Sequence, residues 1–171
     1  MEIINRCEKG ITMLPQTLDR SEISLMLVED DPLDVLAMQR TLKKRRILNP
    51  LVHARDGIEA LDRLRGVGCD PLQRPYLILL DLNMPRMNGL EFLEELRSDP
   101  ELRDSVVFVL TTSDTDRDIV KAYEKFVAGY VLKSKAGDDL LRLLGLLDHY
   151  WRIVEFPPQR AVPTHPETSR A

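Results

Sequence analysis

The sequence predicts an α/β domain: a doubly wound five-stranded parallel sheet in the order 2-1-3-4-5, with helices on both faces. Three observations predict it. Five short apolar runs of strand length recur along the chain, and segments with helical spacing separate them. The runs are also continuously apolar rather than alternating, which marks strands covered on both sides.

The elements follow in order. A first strand is expected over Ser24 to Val28, and the helix after it opens at Asp31 as N-cap with Pro32 at the first helical position. Val35, Met38 and Leu42 mark its apolar stripe, and the run Lys43, Lys44, Arg45 and Arg46 sits where the helix dipole favours cations, as a solvated helix end. The second strand covers Leu51 to Ala54. Asp56, followed three residues on by Glu59, starts a helix with Ile58, Leu61 and Leu64 at helical spacing. A long connection, Gly66 to Arg74, leads to a third strand at Tyr76 to Leu80, and Asn88 with Glu91 opens the helix carrying Leu90, Leu93 and Leu96. The fourth and fifth strands are Val106 to Leu110 and Gly129 to Leu132.

At 171 residues, 43% apolar and 30% charged, the chain suits one core. A leader is expected over 1–22, a folded domain with a long last helix over 23–154, and a loose tail over 155–171, where four prolines crowd. A net charge of −4 offers no general attraction to nucleic acid. No run of apolar residues is long enough to cross a membrane and no signal-peptide core opens the chain, so a cytoplasmic protein is expected. Cys7 and Cys69 form no CxxC pair, and His53, His149 and His165 show no metal spacing.

Ligands of open α/β sheets bind beyond the carboxyl ends of the strands, at the switch in strand order. Those ends carry Glu29, Asp30 and Asp31 after the first strand, Asp81 after the third, Thr111 and Thr112 after the fourth and Lys133 after the fifth. The second ends at His53 and Ala54 and offers little. Carboxylates crowded together raise one another's pKa unless a cation compensates. An all-oxygen set with few protein donors suits Mg2+. Asp30 and Asp81 are expected as direct ligands and Glu29 through water. Asp81 is also a candidate nucleophile, able to form an acyl phosphate when a metal and the ammonium of Lys133 neutralise the transferred group and Thr111 donates a hydrogen bond to it.

Four motifs carry a resemblance: LVEDD (Leu27 to Asp31), LLDLNMPRMNGLEFL (Leu79 to Leu93), VLTTS (Val109 to Ser113) and GYVLK (Gly129 to Lys133). The sequence resembles the response-regulator receiver domains over Ser24 to Tyr150. The resemblance implies a flavodoxin-like fold, Mg2+ as cofactor and phosphorylation of Asp81 by a sensor histidine kinase. It also implies an acidic pair in Glu29 and Asp30, the backbone carbonyl of Asn83 as a further metal ligand, and Thr111 with Tyr130 as a switch pair. A phosphoryl group on Asp81 would draw the Thr111 hydroxyl inward and let the Tyr130 ring turn into the space vacated. The chain departs from the family at Ser134, where a proline usually follows the lysine and fixes its turn.

The ending HYWRIVEFP and the segment TTSDTDRDI resemble those of single-domain regulators that serve bacterial phytochromes. The roughly twenty residues beyond the receiver are expected to be too few for a folded output module, so the receiver surface is expected to signal by itself, without nucleic acid. In the last helix Leu140, Leu143, Leu144, Leu147 and Trp151 form a core stripe, while Leu141, Leu146, Tyr150 and Ile153 fall off it. A homodimer through that helix and the segment Tyr150 to Phe156 is expected. Two alternatives remain: a degenerate receiver that only binds protein, and a Mg-dependent aspartyl phosphatase. The phosphatase needs a second Asp two residues after the nucleophile, where Asn83 stands. The expectation is a phosphoacceptor that assists its own phosphorylation and slow dephosphorylation, not an enzyme.

Overall fold

The computed structural model of the chain describes residues 23–112, 116–133, 145, 146 and 150. The expected leader over 1–22, the tail over 155–171, Cys7, His149, His165, the turn at Ser134 and most of the last helix lie outside the described residues.

The elements run β1 (Ser24–Val28), α1 (Pro32–Lys44), β2 (Leu51–Ala54), α2 (Gly57–Arg65), β3 (Tyr76–Leu80), α3 (Gly89–Ser98), β4 (Val106–Thr111), α4 (Asp116–Glu124) and β5 (Gly129–Leu132). All strand pairs are parallel and the order is β2-β1-β3-β4-β5, as expected from the apolar runs. β4 is one residue longer than its apolar run, because Thr111 pairs with Leu132. Met26, Val28, Ile78, Leu80, Val107 and Val109 face α2 and α3, which contribute Leu61, Leu64, Phe92, Leu93 and Leu96. Alternate residues, Leu25, Leu27, Leu77, Leu79, Phe108 and Leu110, face Met38 and Leu42 of α1. Burial on both sides is what left the strand sequences continuously apolar.

Local chemistry sets the helix starts. The Asp31 carboxylate accepts from the Leu33 amide at 2.8 Å with Pro32 beside it. Asn88 and Glu91 form a reciprocal capping box. Asp56 caps α2 through the Glu59 amide at 3.0 Å, but the expected reciprocal contact is absent. Glu59 turns instead to the Arg55 and Arg63 guanidiniums, at 2.9 and 2.8 Å, and to the Arg55 amide at 3.2 Å, where two charged donors hold it one residue short of the cap. Ile58 is likewise exposed, and α2 buries Gly57, Ala60, Leu61 and Leu64. Lys43, Lys44, Arg45 and Arg46 are exposed at the end of α1, and Cys69 is a free, exposed thiol.

One reading of the last helix is corrected. Tyr150 packs edge-on against Phe108, ring centroids 5.5 Å apart, so it covers the α1 face of the sheet rather than standing off the core stripe. Leu146 is exposed, as expected. At the amino end of the sheet Arg97 donates to the carbonyls of Arg103, Ser105, Lys125 and Phe126, each between 2.8 and 2.9 Å. It thereby ties α3 to the segments entering β4 and β5.

Candidate functional site: an acidic rim at the carboxyl ends of the strands

Each strand delivers its terminal side chain through the ladder. Asp81 follows β3 directly, its amide donating to Val28 at 3.0 Å, and Glu29 follows β1, its amide donating to Ala54 at 2.9 Å. The register that pairs β1 with β3 therefore places these two carboxylates side by side. Lys133 follows β5 and its amide donates to the Thr111 carbonyl at 2.8 Å, so the edge strand carries the lysine to the same rim.

The backbone behind Asp81 is pinned closely. Its Oδ1 accepts from the Leu82 amide at 2.9 Å, and the Gly89 amide donates to Leu82 at 3.0 Å, closing the loop 82–88. A Cβ on Gly89 would lie 2.4 Å from the Asp81 carbonyl oxygen, so only glycine admits this approach. On its far side the loop is anchored to α2, where Arg86 pairs with the buried Asp56 carboxylate and the Gly57 amide donates to Met87 at 3.3 Å.

The site is charged and partly dry. Glu29 is 2% and Asp81 6% exposed, whereas Asp30 faces solvent. One oxygen from each of these three carboxylates lies within 4.8 Å of the others. Lys133 Nζ donates to Glu29, donates to Asp34 at 2.8 Å and stands 3.8 Å from Asp81. Burial pushes the Asp81 carboxyl above its ordinary value, against the Lys133 charge and a hydrogen bond from Thr111. Burial likewise raises Glu29, although Lys133 pulls the other way. Burial acts to lower Lys133, but hydrogen bonds to Asp34 and Glu29 and the charges of Glu29 and Asp81 outweigh it, and the ammonium is raised. One ammonium thus leaves the two buried carboxylates short of positive charge.

The donor set fits a hard divalent cation. Oxygens on opposite sides of a magnesium ion lie about 4.2 Å apart, so a cluster within 4.8 Å needs only small side-chain adjustments or one intervening water. Beside the carboxylates an open depression of about 440 Å³ is lined by Asp30, Leu82, Asn83, Met84, Pro85, Asn88 and Leu90. Thr111 is buried, and the Asn83 side-chain amide reaches its hydroxyl at 3.4 Å. Two residues before Thr111, Val109 is in register with Tyr130, and Tyr130 packs half-buried on the same α2–α3 face of the sheet that Thr111 shares.

The structure therefore brings together Glu29, Asp30, Asp81, Asn83, Thr111 and Lys133, with Tyr130 on the neighbouring strand. Sequence reading missed two contributors. Asp34 holds Lys133 from the first turn of α1, and His53 donates from Nε2 to the Glu29 carbonyl at 2.8 Å. The helical position of Asp34 and the strand-end position of His53 were the available signals, but each has a partner far along the chain.

Comparison with known proteins agrees with this geometry. The family described as response regulator receiver domain matches residues 25–144. Response regulator Rcp1 of Synechocystis sp. (strain ATCC 27184 / PCC 6803 / Kazusa) is 38% identical over 128 residues, which covers 74% of this chain and 87% of Rcp1. The crystal structure of the phosphorylated cyanobacterial phytochrome response regulator RcpA superposes with a TM-score of 0.69 at 35% identity, covering 78% of this chain and 97% of RcpA. The Mn2+-bound form of Rcp1 superposes with a TM-score of 0.68 at 34% identity, covering 79% and 98%. With the sheet order, the acidic rim and this match over most of its length in agreement, the chain belongs to the response-regulator receiver domains.

Proposed function

We propose that this receiver accepts a phosphoryl group on Asp81 from a sensor histidine kinase of the phytochrome type and signals through its own surface. The observation that carries the reading is the cluster of Glu29, Asp30 and Asp81 within 4.8 Å, with the Lys133 ammonium 3.8 Å from Asp81. Kinship with Rcp1 and with the phytochrome response regulator RcpA supports the choice of kinase.

Each residue has a role in this reading. Asp81 is the nucleophile. Asp30, Asp81 and the Asn83 backbone carbonyl would hold Mg2+ directly, and Glu29 would act on it through water. Bound Mg2+ supplies charge neutralisation for the incoming phosphoryl oxygens. Lys133 contacts one phosphoryl oxygen and Thr111 donates to another, while Tyr130 turns inward as Thr111 moves. Asn83 in place of a second Asp leaves no strong base to activate water, so the acyl phosphate turns over slowly and the chain acts as a phosphoacceptor rather than a phosphatase.

Incubation with acetyl phosphate and Mg2+ tests the reading. Stoichiometric label that is lost in Asp81→Asn and in excess chelator is the expected result. Label that survives the substitution, or many turnovers per chain, refutes it. A homodimer through the last helix belongs to the same reading, supported by the exposed Leu146. A monomer by light scattering at micromolar concentration, with and without beryllium fluoride, would remove it. The cytoplasm is the proposed location. Among the described residues no helix is long and apolar enough to cross a membrane.

A further inference from the structure

We propose that Asp34 is a positioning residue that holds the Lys133 ammonium in line with Asp81 for phosphoryl transfer. The inference rests on the phosphoacceptor reading and assigns a regulator of that same site on an element, α1, that carries no other part of it beyond its cap.

The geometry of the ammonium carries it. Lys133 has three N–H donors on a flexible stem. One is given to Glu29 and one to Asp34 at 2.8 Å, while Asp81 lies at 3.8 Å, too far for a hydrogen bond. The two short contacts come from two different elements: Glu29 follows β1, and Asp34 stands in the first turn of α1. Together they restrain the stem, and one donor is left for a phosphoryl oxygen in the space between Nζ and Asp81, 3.8 Å apart. The position of Asp34 is itself fixed, because the Asp31 cap and Pro32 set the start of α1 and the helix N-terminus favours a carboxylate there.

In the transfer, an Asp81 carboxylate oxygen bonds to phosphorus as the bond from phosphorus to the donor breaks, and the electron pair leaves with the donor, as acetate when acetyl phosphate is used. Negative charge is redistributed over the phosphoryl oxygens during this step, and an ammonium already aimed at them needs no reorganisation. Without Asp34, Lys133 keeps Glu29 alone as a short partner and its stem regains rotational freedom.

The test measures the initial rate of Asp81 phosphorylation by acetyl phosphate at saturating donor and Mg2+, in the unaltered chain, Asp34→Asn and Asp34→Glu. Asp34→Asn is expected to slow the maximal rate about three- to fivefold, the range of a half-exposed ion pair. Its half-saturating Mg2+ should stay within about twofold, because Asp34 is not a ligand. Asp34→Glu should recover most of the rate, and beryllium fluoride should dissociate faster from Asp34→Asn than from the unaltered chain. An Asp34→Asn rate equal to or above that of the unaltered chain overturns the inference, and so does a Glu variant as slow as the Asn variant. If the unaltered chain takes no label on Asp81, the phosphoacceptor reading itself falls, which is a distinguishable result.

Discussion

The two ends of one sheet treat charge in opposite ways. At the amino end, the polar groups that join the segments are met by fixed partners. Arg97 is surrounded by four carbonyls, Arg74 pairs with Asp104 at 2.6 Å, and the Tyr76 hydroxyl meets Ser105 at 2.9 Å. At the carboxyl end four carboxylates, Glu29, Asp30, Asp34 and Asp81, crowd round one ammonium, and burial lifts both Asp81 and Glu29 above their ordinary values. The first arrangement holds strands together, whereas the second is short of a cation and has room for one. Balanced polar networks rigidify, and unbalanced ones create affinity for the missing charge.

Substitutions at the two rims can sharpen or break that contrast. Lys133→Met should lower phosphorylation of Asp81 by roughly 10²-fold or more, as loss of a preorganised cation does. It should also make folding more dependent on Mg2+, seen as a larger rise in thermal midpoint on adding the ion. An unchanged rate would show that the carboxyl rim does not use its ammonium. Arg97→Ala should cost about 2–3 kcal/mol of stability, because it strands carbonyls that a charged donor satisfied. Denaturant unfolding would read that loss, while half-saturating Mg2+ should stay the same. A shift in metal affinity with no loss of stability would break the division between the rims.

Asp81→Asn should raise the thermal midpoint by roughly 2–5 °C at neutral pH in the absence of metal. The folded carboxyl lies above its ordinary value of 3.8. The favourable protonated form is therefore fully present below that value and is lost as pH rises through the folded pKa. The advantage of Asn should accordingly shrink as pH falls toward 3.8. Thermal scans across that range that show a constant difference would contradict the burial cause.

The smallest effect lies away from both rims. The hydrogen bond from Arg55, reinforced by Arg63, holds Glu59 down at about 2. Its stability contribution is present above the ordinary value of 4.5 and is lost as pH falls toward the folded value. Solvent screens this exposed pair, so Glu59→Gln should cost only about 0.5 kcal/mol at neutral pH. That difference should fade in unfolding curves taken near pH 2.

What was legible in the sequence shares one property, which is locality. The Asp31 cap beside Pro32 and the Asn88–Glu91 box connect residues within one turn, and the strand runs announce themselves by composition. The rim residues Glu29, Asp30, Asp81, Thr111 and Lys133 were legible because each stands immediately after or at the end of a strand, and the parallel order does the rest. Glu59 departed from its expected box for a reason that is also local but competitive, since Arg55 and Arg63 flank it at helical spacing. Ile58 has helical spacing yet faces out, because the buried stripe of α2 runs through Gly57, Ala60, Leu61 and Leu64 and leaves Ile58 at its edge.

The contacts that escaped the sequence span long stretches of chain. Lys133 is 99 residues from Asp34, Arg86 is 30 from Asp56, Arg97 is 28 from Lys125 and His53 is 24 from Glu29. Tyr150 turned from an off-stripe residue into a core contact through Phe108, a neighbour only the sheet supplies. The sequence by itself determined the strand and helix order, the side of the sheet on which chemistry sits and the residue types that reach it, because periodicity, caps and strand ends are written in adjacent residues. Only the tertiary structure decided which charge answers which, where Lys133 points and how far Asp81 is stripped of water. Burial and Coulomb energy depend on distance in space, and folding alone brings residues 34, 81 and 133 within reach of one another.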